Sequence, residues 1–267
     1  IMFFALFNYT ILRDIKDVLI VTAPNGGAPV LSFLKGWGVM PSAIVFVLVY
    51  TKLSNILSQE KIFYWVVSAF VAFFTAFAFY LYPNQEMLHP ANEALTALQE
   101  QYPNFRFLFP VWGLWTYSLF YILAELWGSV MISLLFWQFA NQIVKTNEAK
   151  RYYALFGMIA NFALIFSGET IKQLSTIGEE LSSFERWGLS LNYMMGAVAV
   201  CGIAMMILYR WIHTNVLTDK RFYDPEEVKG PKKEKAKMTV GESFKFIMSN
   251  PYLGRSGLER PNPSSFP

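Results

Sequence analysis

The sequence predicts an all-α integral membrane protein, a six-helix bundle followed by a polar connector. Three observations lead there. Six apolar runs are each long enough to cross a bilayer, which takes about 20 predominantly apolar residues. Charged residues make up only 15% of the 267 positions, against about 25% in an ordinary soluble domain. The loops between the runs also alternate in charge. Hydrophobic residues reach 54% and aromatic residues 18%, the composition of a chain whose bulky side chains meet lipid and its interfaces.

The six spans are read at residues 1–23, 28–57, 62–82, 107–143, 152–174 and 189–212, within a bundle covering 1–216. The first begins inside an apolar run. With no Met and no signal-peptide pattern ahead of it, the chain reads as a fragment. The second carries Gly36, Gly38 and Pro41, which should kink it. The fourth is too long for one upright crossing and is expected to tilt or project. A connector at 217–252 follows, polar and charged around Pro225 and Pro231. Thr239 and Glu242 in it have capping-box spacing and open a short amphipathic helix. The proline- and serine-rich stretch 253–267 has no periodicity and reads as a non-native or truncated tail.

Loop charge orients the bundle. Lys52 and Lys61 follow the second span. Lys145, Lys150 and Arg151 follow the fourth, and a lysine-rich run from Lys220 to Lys245 follows the sixth. The alternate loops set Glu86, Glu93 and Glu100 against Arg106, and Glu179, Glu180 and Glu185 against Arg186. The positive-inside rule therefore places the loops after the even-numbered spans, and the N-terminus, in the cytoplasm or its organellar equivalent.

Composition also excludes several chemistries. One cysteine, Cys201, rules out an intrachain disulfide. Two histidines, His89 and His213, in different segments leave little material for a metal centre or a catalytic triad. Gly26-Gly27 lacks phosphate-loop spacing, and Gly36-x-Gly38 lacks the third glycine of a dinucleotide fold. A net charge of +3 is too small for a nucleic-acid binder. No cofactor is expected.

The informative residues are charges inside the spans. Within NYTILRDIKDVLIVT, Asn8 to Thr22, stand Arg13, Asp14, Lys16 and Asp17. A charge at the bilayer centre costs roughly 2.5–3.5 kcal/mol even on a lenient scale. On an ideal helix the four, with Tyr9 and Thr10, occupy an arc of about 160°. They are therefore expected to face other helices or a hydrated cavity rather than lipid. Arg13 and Asp17 are four apart and can pair, which would leave Lys16 as the cation open to a ligand. An ammonium is a compact point charge suited to phosphate, so an anionic solute is the reading. The bland alternative is a self-neutralising cluster that holds helices together.

The fourth span contains one acid, Glu125, on a polar seam with Tyr121, Ser129 and Ser133 at intervals of four. An isolated carboxylate there is either paired with a cation, Lys16 or Arg13 being the natural partner, or neutral. The bland alternative is an interhelical hydrogen bond of about 0.6 kcal/mol. Asn8, Tyr121, Ser129 and Asn161 are further candidates to line a cavity.

Residues alone thus reach an anion-handling helical membrane protein. Several strings go further. NYTILRDIKDVLIVT resembles the first-helix signature of the non-mitochondrial ATP/ADP translocases of plastids and obligate intracellular bacteria. ILAELWGSVMISLLFWQFANQI (Ile122 to Ile143) resembles their fourth-helix signature. YTKLSN, EAKRYYALFG, NFALIFSGETIK and SFKFIMSNPY are similar to segments the family carries elsewhere, so the likeness covers nearly all of 1–252. The resemblance implies a major-facilitator-like fold of twelve helices in two halves, of which this chain is the N-terminal half and the C-terminal half the missing partner. It implies exchange of ATP for ADP in the inner membrane of an intracellular bacterium or the plastid inner envelope. It also implies that Lys16 and Glu125 match a lysine and a glutamate needed for transport. The alternatives are a carrier of other nucleotides with proton coupling, and a membrane enzyme or assembly subunit using the charges structurally.

Overall fold

The computed structural model describes residues 1–144, 148–178 and 180–218. These belong to one compact unit, Ile1–Val228. The expected helix at Thr239, the lysine-rich run from Lys220, the tail at 253–267, and Lys145 and Glu179 lie outside the described residues.

Helix follows helix throughout. In chain order they are α1 (Met2–Thr22), α2 (Ala28–Ile56), α3 (Gln59–Leu81), the short α4 (Gln85–Leu88), α5 (Asn92–Gln101), α6 (Leu108–Gly113), α7 (Trp115–Ile143), α8 (Ala149–Ser175) and α9 (Ser183–Val216). Five of them, α2, α3, α7, α8 and α9, are long and apolar enough to cross a membrane. α1 has the length as well, about 31 Å for its 21 residues, but its four charges stand together within five residues inside the helix, a cluster that none of the other five carries.

Local chemistry explains the boundaries. α1 stops at Ala23, where the backbone becomes extended, and turns through Pro24 and Asn25. A side chain at Gly26 would lie 2.1 Å from the Ile20 carbonyl oxygen, and Gly27 has φ +119°, so glycine is required at both positions. α2 widens by a residue per turn over Leu34–Val39, just ahead of Pro41. Proline cannot donate to the carbonyl four residues back, and a widened turn absorbs that lost bond. Gly38 lies there, and a side chain added to it would stand 3.2 Å from Ile122 of α7. α3 is capped by Ser58, which accepts from the Lys61 N–H at 3.4 Å.

Two boundaries depart from the apolar pattern. The run 107–143 is not one tilted helix. It breaks at Leu114, whose φ −95° and ψ +42° are not helical. Gly113 is pressed against Leu95 of α5, and the Ser118 hydroxyl spans the break by donating to the Val111 carbonyl at 2.8 Å. At the other boundary, α9 starts at Ser183, well before the apolar run. Ser182 and Glu185 close a reciprocal capping box there, which satisfies two otherwise orphaned N–H groups.

Packing is organised around α1, which contacts α7, α8, α9 and the start of α2. Two buried side-chain bonds fasten it. Asn8 Nδ2 donates to the Val198 carbonyl of α9 at 3.0 Å, and Trp127 Nε1 of α7 donates to the Ala5 carbonyl at 3.0 Å. Tyr9 lies against Gly128 of α7, whose lack of a side chain permits the approach. α3 buries Ile62, Phe63, Val66, Val67, Phe70 and Phe74 in one stripe, the three-and-four spacing of a helix packed along one side. Phe74, Phe120 and Trp127 continue that core edge to face. The outward sides remain apolar, as with Val45, Val47 and Leu48 on α2 and Ile165 and Phe166 on α8. Such surface suits lipid, where helices must satisfy their own backbone bonds.

Candidate functional site

The charged stretch of α1 and the lone acid of α7 meet where these two helices pack. Lys16 is buried, with 2% of its side chain exposed. Its Nζ lies 2.7 Å from Asp17 Oδ1 and 3.0 Å from Glu125 Oε1. It also stands over the ring of Tyr121, 4.3 Å from the centroid. Tyr121 and Glu125 are four apart on α7, so both present to the same neighbour. Tyr121 is fully buried, and its hydroxyl has no hydrogen-bond partner among the described residues.

The remaining charges pair differently from the expectation. Arg13 does not reach Asp17; its Nε bonds Asp14 Oδ1 at 3.1 Å. The reason is the burial of Lys16, which needs more than one anion and draws Asp17 to itself. Arg13 then takes the adjacent carboxylate. Lys16 is accordingly the most enclosed cation of the stretch, not the one open to a ligand. Arg13, Asp14 and Asp17 are each about 45% exposed, along one open stripe of α1. The cluster holds two cations, Arg13 and Lys16, and three carboxylates, Asp14, Asp17 and Glu125. Its formal charge is therefore −1, not the balance read from α1 alone.

The other candidates separate. Asn8 is buried and committed to α9 through Val198, which is a packing role. Ser129 is exposed, as is Ser133. α7 widens over Gly128–Phe136, and each widened turn rotates the residues beyond it, so the polar seam leaves the interface one turn past Glu125. Asn161 is exposed on α8 and makes no hydrogen bond among the described residues.

A cleft of about 790 Å³ opens where the end of α1, the end of α3, α4, the start of α5, the start of α7 and the start of α9 converge. By the loop-charge rule these ends share the non-cytoplasmic side. Tyr82 is buried in its wall. Gln85 accepts from the Tyr117 hydroxyl, and His89 Nε2 is 2.7 Å from Thr116 Oγ1. Burial lowers the pKa of His89. No local pattern announces this cleft, because its residues come from separate chain ends; the acidic, aromatic composition of 82–106 is the only trace.

The chemistry open to the Lys16 site is set by donor count. An ammonium has three donors, and two are taken by carboxylates. An incoming phosphate oxygen would compete with Glu125 and Asp17 for the same cation. Such an exchange of partners would loosen α1 from α7 and would break no covalent bond.

Comparison with known proteins gives this arrangement a context. The model of a family described as "TLC ATP/ADP transporter" matches residues 1–256. The chain is 50% identical over 257 residues to "ADP,ATP carrier protein 1" of Chlamydia muridarum, covering 95% of this chain and 48% of that protein. It is 46% identical to the protein of the same name in Rickettsia bellii, with 96% and 50% covered. It is also 46% identical to "ADP,ATP carrier protein 1, chloroplastic" of Arabidopsis thaliana, with 95% and 40% covered. The chain thus spans half or less of the length of these curated relatives. No solved structure matches it.

Proposed function

The chain belongs to the TLC ATP/ADP transporter family, a family of carriers rather than enzymes, and from that premise we propose that the protein exchanges ATP for ADP across a membrane by alternating access. In this reading the bundle is the N-terminal half of a major-facilitator-like protein of twelve helices. Its partner is a second half, and both halves sit in the lipid bilayer of an intracellular bacterium's inner membrane or a plastid inner envelope. Substrate would lie near the midplane between the halves, which rock around it.

The observation that carries the reading is the burial of Lys16 between Asp17 and Glu125 at 2.7 and 3.0 Å. A buried ammonium is costly unless paired, and these two carboxylates keep it charged when no nucleotide is present. Phosphate oxygens offer the same negative charge, so nucleotide replaces Glu125 as partner and frees α7 from α1. Antiport follows if, once nucleotide leaves, Glu125 pairs with Lys16 again and fastens α7 to α1, so that the empty protein does not make the return step. Selectivity for ATP and ADP over other nucleotides rests on the names of the relatives, and the proton-coupled carrier of other nucleotides remains the alternative within the class.

The test is exchange in vesicles containing the full-length protein. Labelled ATP uptake should require internal ADP or ATP and should be competed by these two above other nucleotides. Lys16→Ala should reduce exchange about 10- to 100-fold, since a charge-assisted contact is worth roughly 1.5–3 kcal/mol. Undiminished exchange in that variant would remove the role given to Lys16. A purely structural use of the charges predicts that swapping Lys16 and Glu125 preserves transport, because mutual neutrality is then all that matters. The nucleotide reading predicts that the swap fails.

A further inference from the structure

We infer that the cleft at the non-cytoplasmic end of α1 is a binding site for the nucleoside part of the solute, distinct from the Lys16 cluster. Its volume of about 790 Å³ falls within the ordinary range for small-molecule sites, about 300–1,000 Å³, and exceeds that of a single nucleoside. No lysine or arginine among the described residues lines it, whereas Glu86 does. The cleft therefore disfavours phosphate and favours an uncharged, planar, hydrogen-bonding group.

Its free side chains match such a group. Phe184 is 56% exposed, with one face stacked on Tyr82 at a centroid distance of 5.9 Å. The buried Tyr82 and Tyr117 stack behind it at 6.2 Å and make a rigid aromatic wall. The carboxylate of Glu86, the side-chain amide of Asn92 and the indole of Trp187 line the cleft without any hydrogen bond to the described residues. They supply an acceptor, a donor with an acceptor, and a donor. A purine needs this set: an aromatic face to stack on, an acceptor for its exocyclic amine, and donors for its ring nitrogens. The choice of a purine over another planar polar ring rests on the nucleotide reading above.

Position supports the same assignment. Val18, Leu19 and Thr22 of α1 line the cleft, and Thr22 is about 9 Å along the helix from Lys16. Tyr117 of α7 lines it as well, about 12 Å along α7 from Glu125, as does Leu114 just ahead of that helix. Tyr121, fully buried, lies between. The base site and the phosphate-attracting cation therefore share the α1–α7 seam. A nucleotide arriving from the non-cytoplasmic side meets the base site first.

The experiment places a cysteine at Ser183, on the rim, in the full-length protein with its other cysteines removed. Labelling by a membrane-impermeant thiol reagent is then timed with adenosine, tripolyphosphate or choline present. Adenosine at millimolar concentration should slow labelling at least threefold, and neither other probe should. In Phe184→Leu the half-protecting concentration should rise about tenfold, the loss of the exposed stacking face. In Glu86→Gln, an exposed position that does not threaten folding, protection should weaken with labelling of the free protein unchanged. Absence of protection by adenosine overturns the assignment. Equal protection by tripolyphosphate or choline also overturns it, by showing an anion or a cation site. Exchange measured on the same preparation separates the two readings. Adenosine protection without any nucleotide exchange sinks the transport proposal and leaves the cleft standing; normal exchange without adenosine protection does the reverse.

Discussion

Lys16 of α1 and Glu125 of α7 meet at 3.0 Å with the lysine 2% exposed and the glutamate 24% exposed. The asymmetry assigns the parts. The lysine is held inside, while the glutamate has one foot in the open region from which a solute would arrive. Replacing Glu125 by Gln removes the exchangeable anion and leaves Asp17 as the only carboxylate on the ammonium. Phosphate bound to Lys16 would then lack its competitor. The expected outcome is slower exchange, by about tenfold or more, with the KM for ATP unchanged or lower. Initial rates in vesicles over a range of ATP concentrations check this. A raised KM at unchanged maximal rate would instead make Glu125 a simple binding contact.

Arg13 and Asp14 supply the contrast. Their pair, at 3.1 Å, has both side chains close to half exposed. Exposed pairs contribute about 0–1 kcal/mol, so Arg13→Ala should leave thermal stability in detergent nearly unchanged. Lys16→Ala strands two carboxylates around a buried gap and should lower stability clearly more. Melting curves of the two variants side by side give the order; an equal loss would contradict the difference in burial.

Much of this molecule was legible from pattern, and the failures have physical causes. Long apolar runs announce helices, because length and hydropathy are local properties. The break at Leu114 was hidden, since it depends on Gly113 meeting Leu95 from another element. The early start of α9 was visible in Ser182-x-x-Glu185 but was overshadowed by the apolar run that begins at Leu189. Arg13 and Asp17 have the spacing of a helix-surface pair, yet spacing says only what can meet. Which partner Asp17 takes was decided by the burial of Lys16, a tertiary fact. Glu125 was conspicuous because a lone acid in an apolar run demands a partner. The cleft left only a faint trace because six segments distant in sequence build it.

The α1–α3–α9 contact gives a prediction about packing. A side chain at Gly202 of α9 would stand 2.4 Å from Val71 Cγ2 and 3.9 Å from Asn8 Nδ2. Gly202→Ala should therefore overpack the junction and destabilise by about 1–3 kcal/mol. Val71→Ala added to it should restore part of the loss, because the clash is with the valine methyl. Asn8→Ala alone should cost about 0.6–1.7 kcal/mol, the range for interhelical hydrogen bonds in membranes. Unfolding in mixed micelles measures all three, and failure of the double variant to recover would place the strain elsewhere.

His89 gives the pH dependence. It lies outside the spans, between α4 and α5, with Nε2 2.7 Å from Thr116 Oγ1 and its ring edge-on to Tyr117 at 5.0 Å. Burial holds its pKa below the usual 6.5, so the folded protein favours the neutral ring. The unfolded chain binds a proton at higher pH than the folded one. The contribution of His89 to stability is thus fully present above about pH 6.5 and is lost as pH falls from there through the lowered folded value. Acidification from pH 7.5 to 5 should loosen the joint between the 82–106 loop and the start of α7. His89→Gln keeps a hydrogen-bonding group near Thr116 but does not titrate. Hydrogen exchange in residues 85–92 and 115–118 should therefore speed up at pH 5 in the wild type, after correction for intrinsic rates, and change less in the variant. An equal response in both proteins would assign the acid sensitivity to another group.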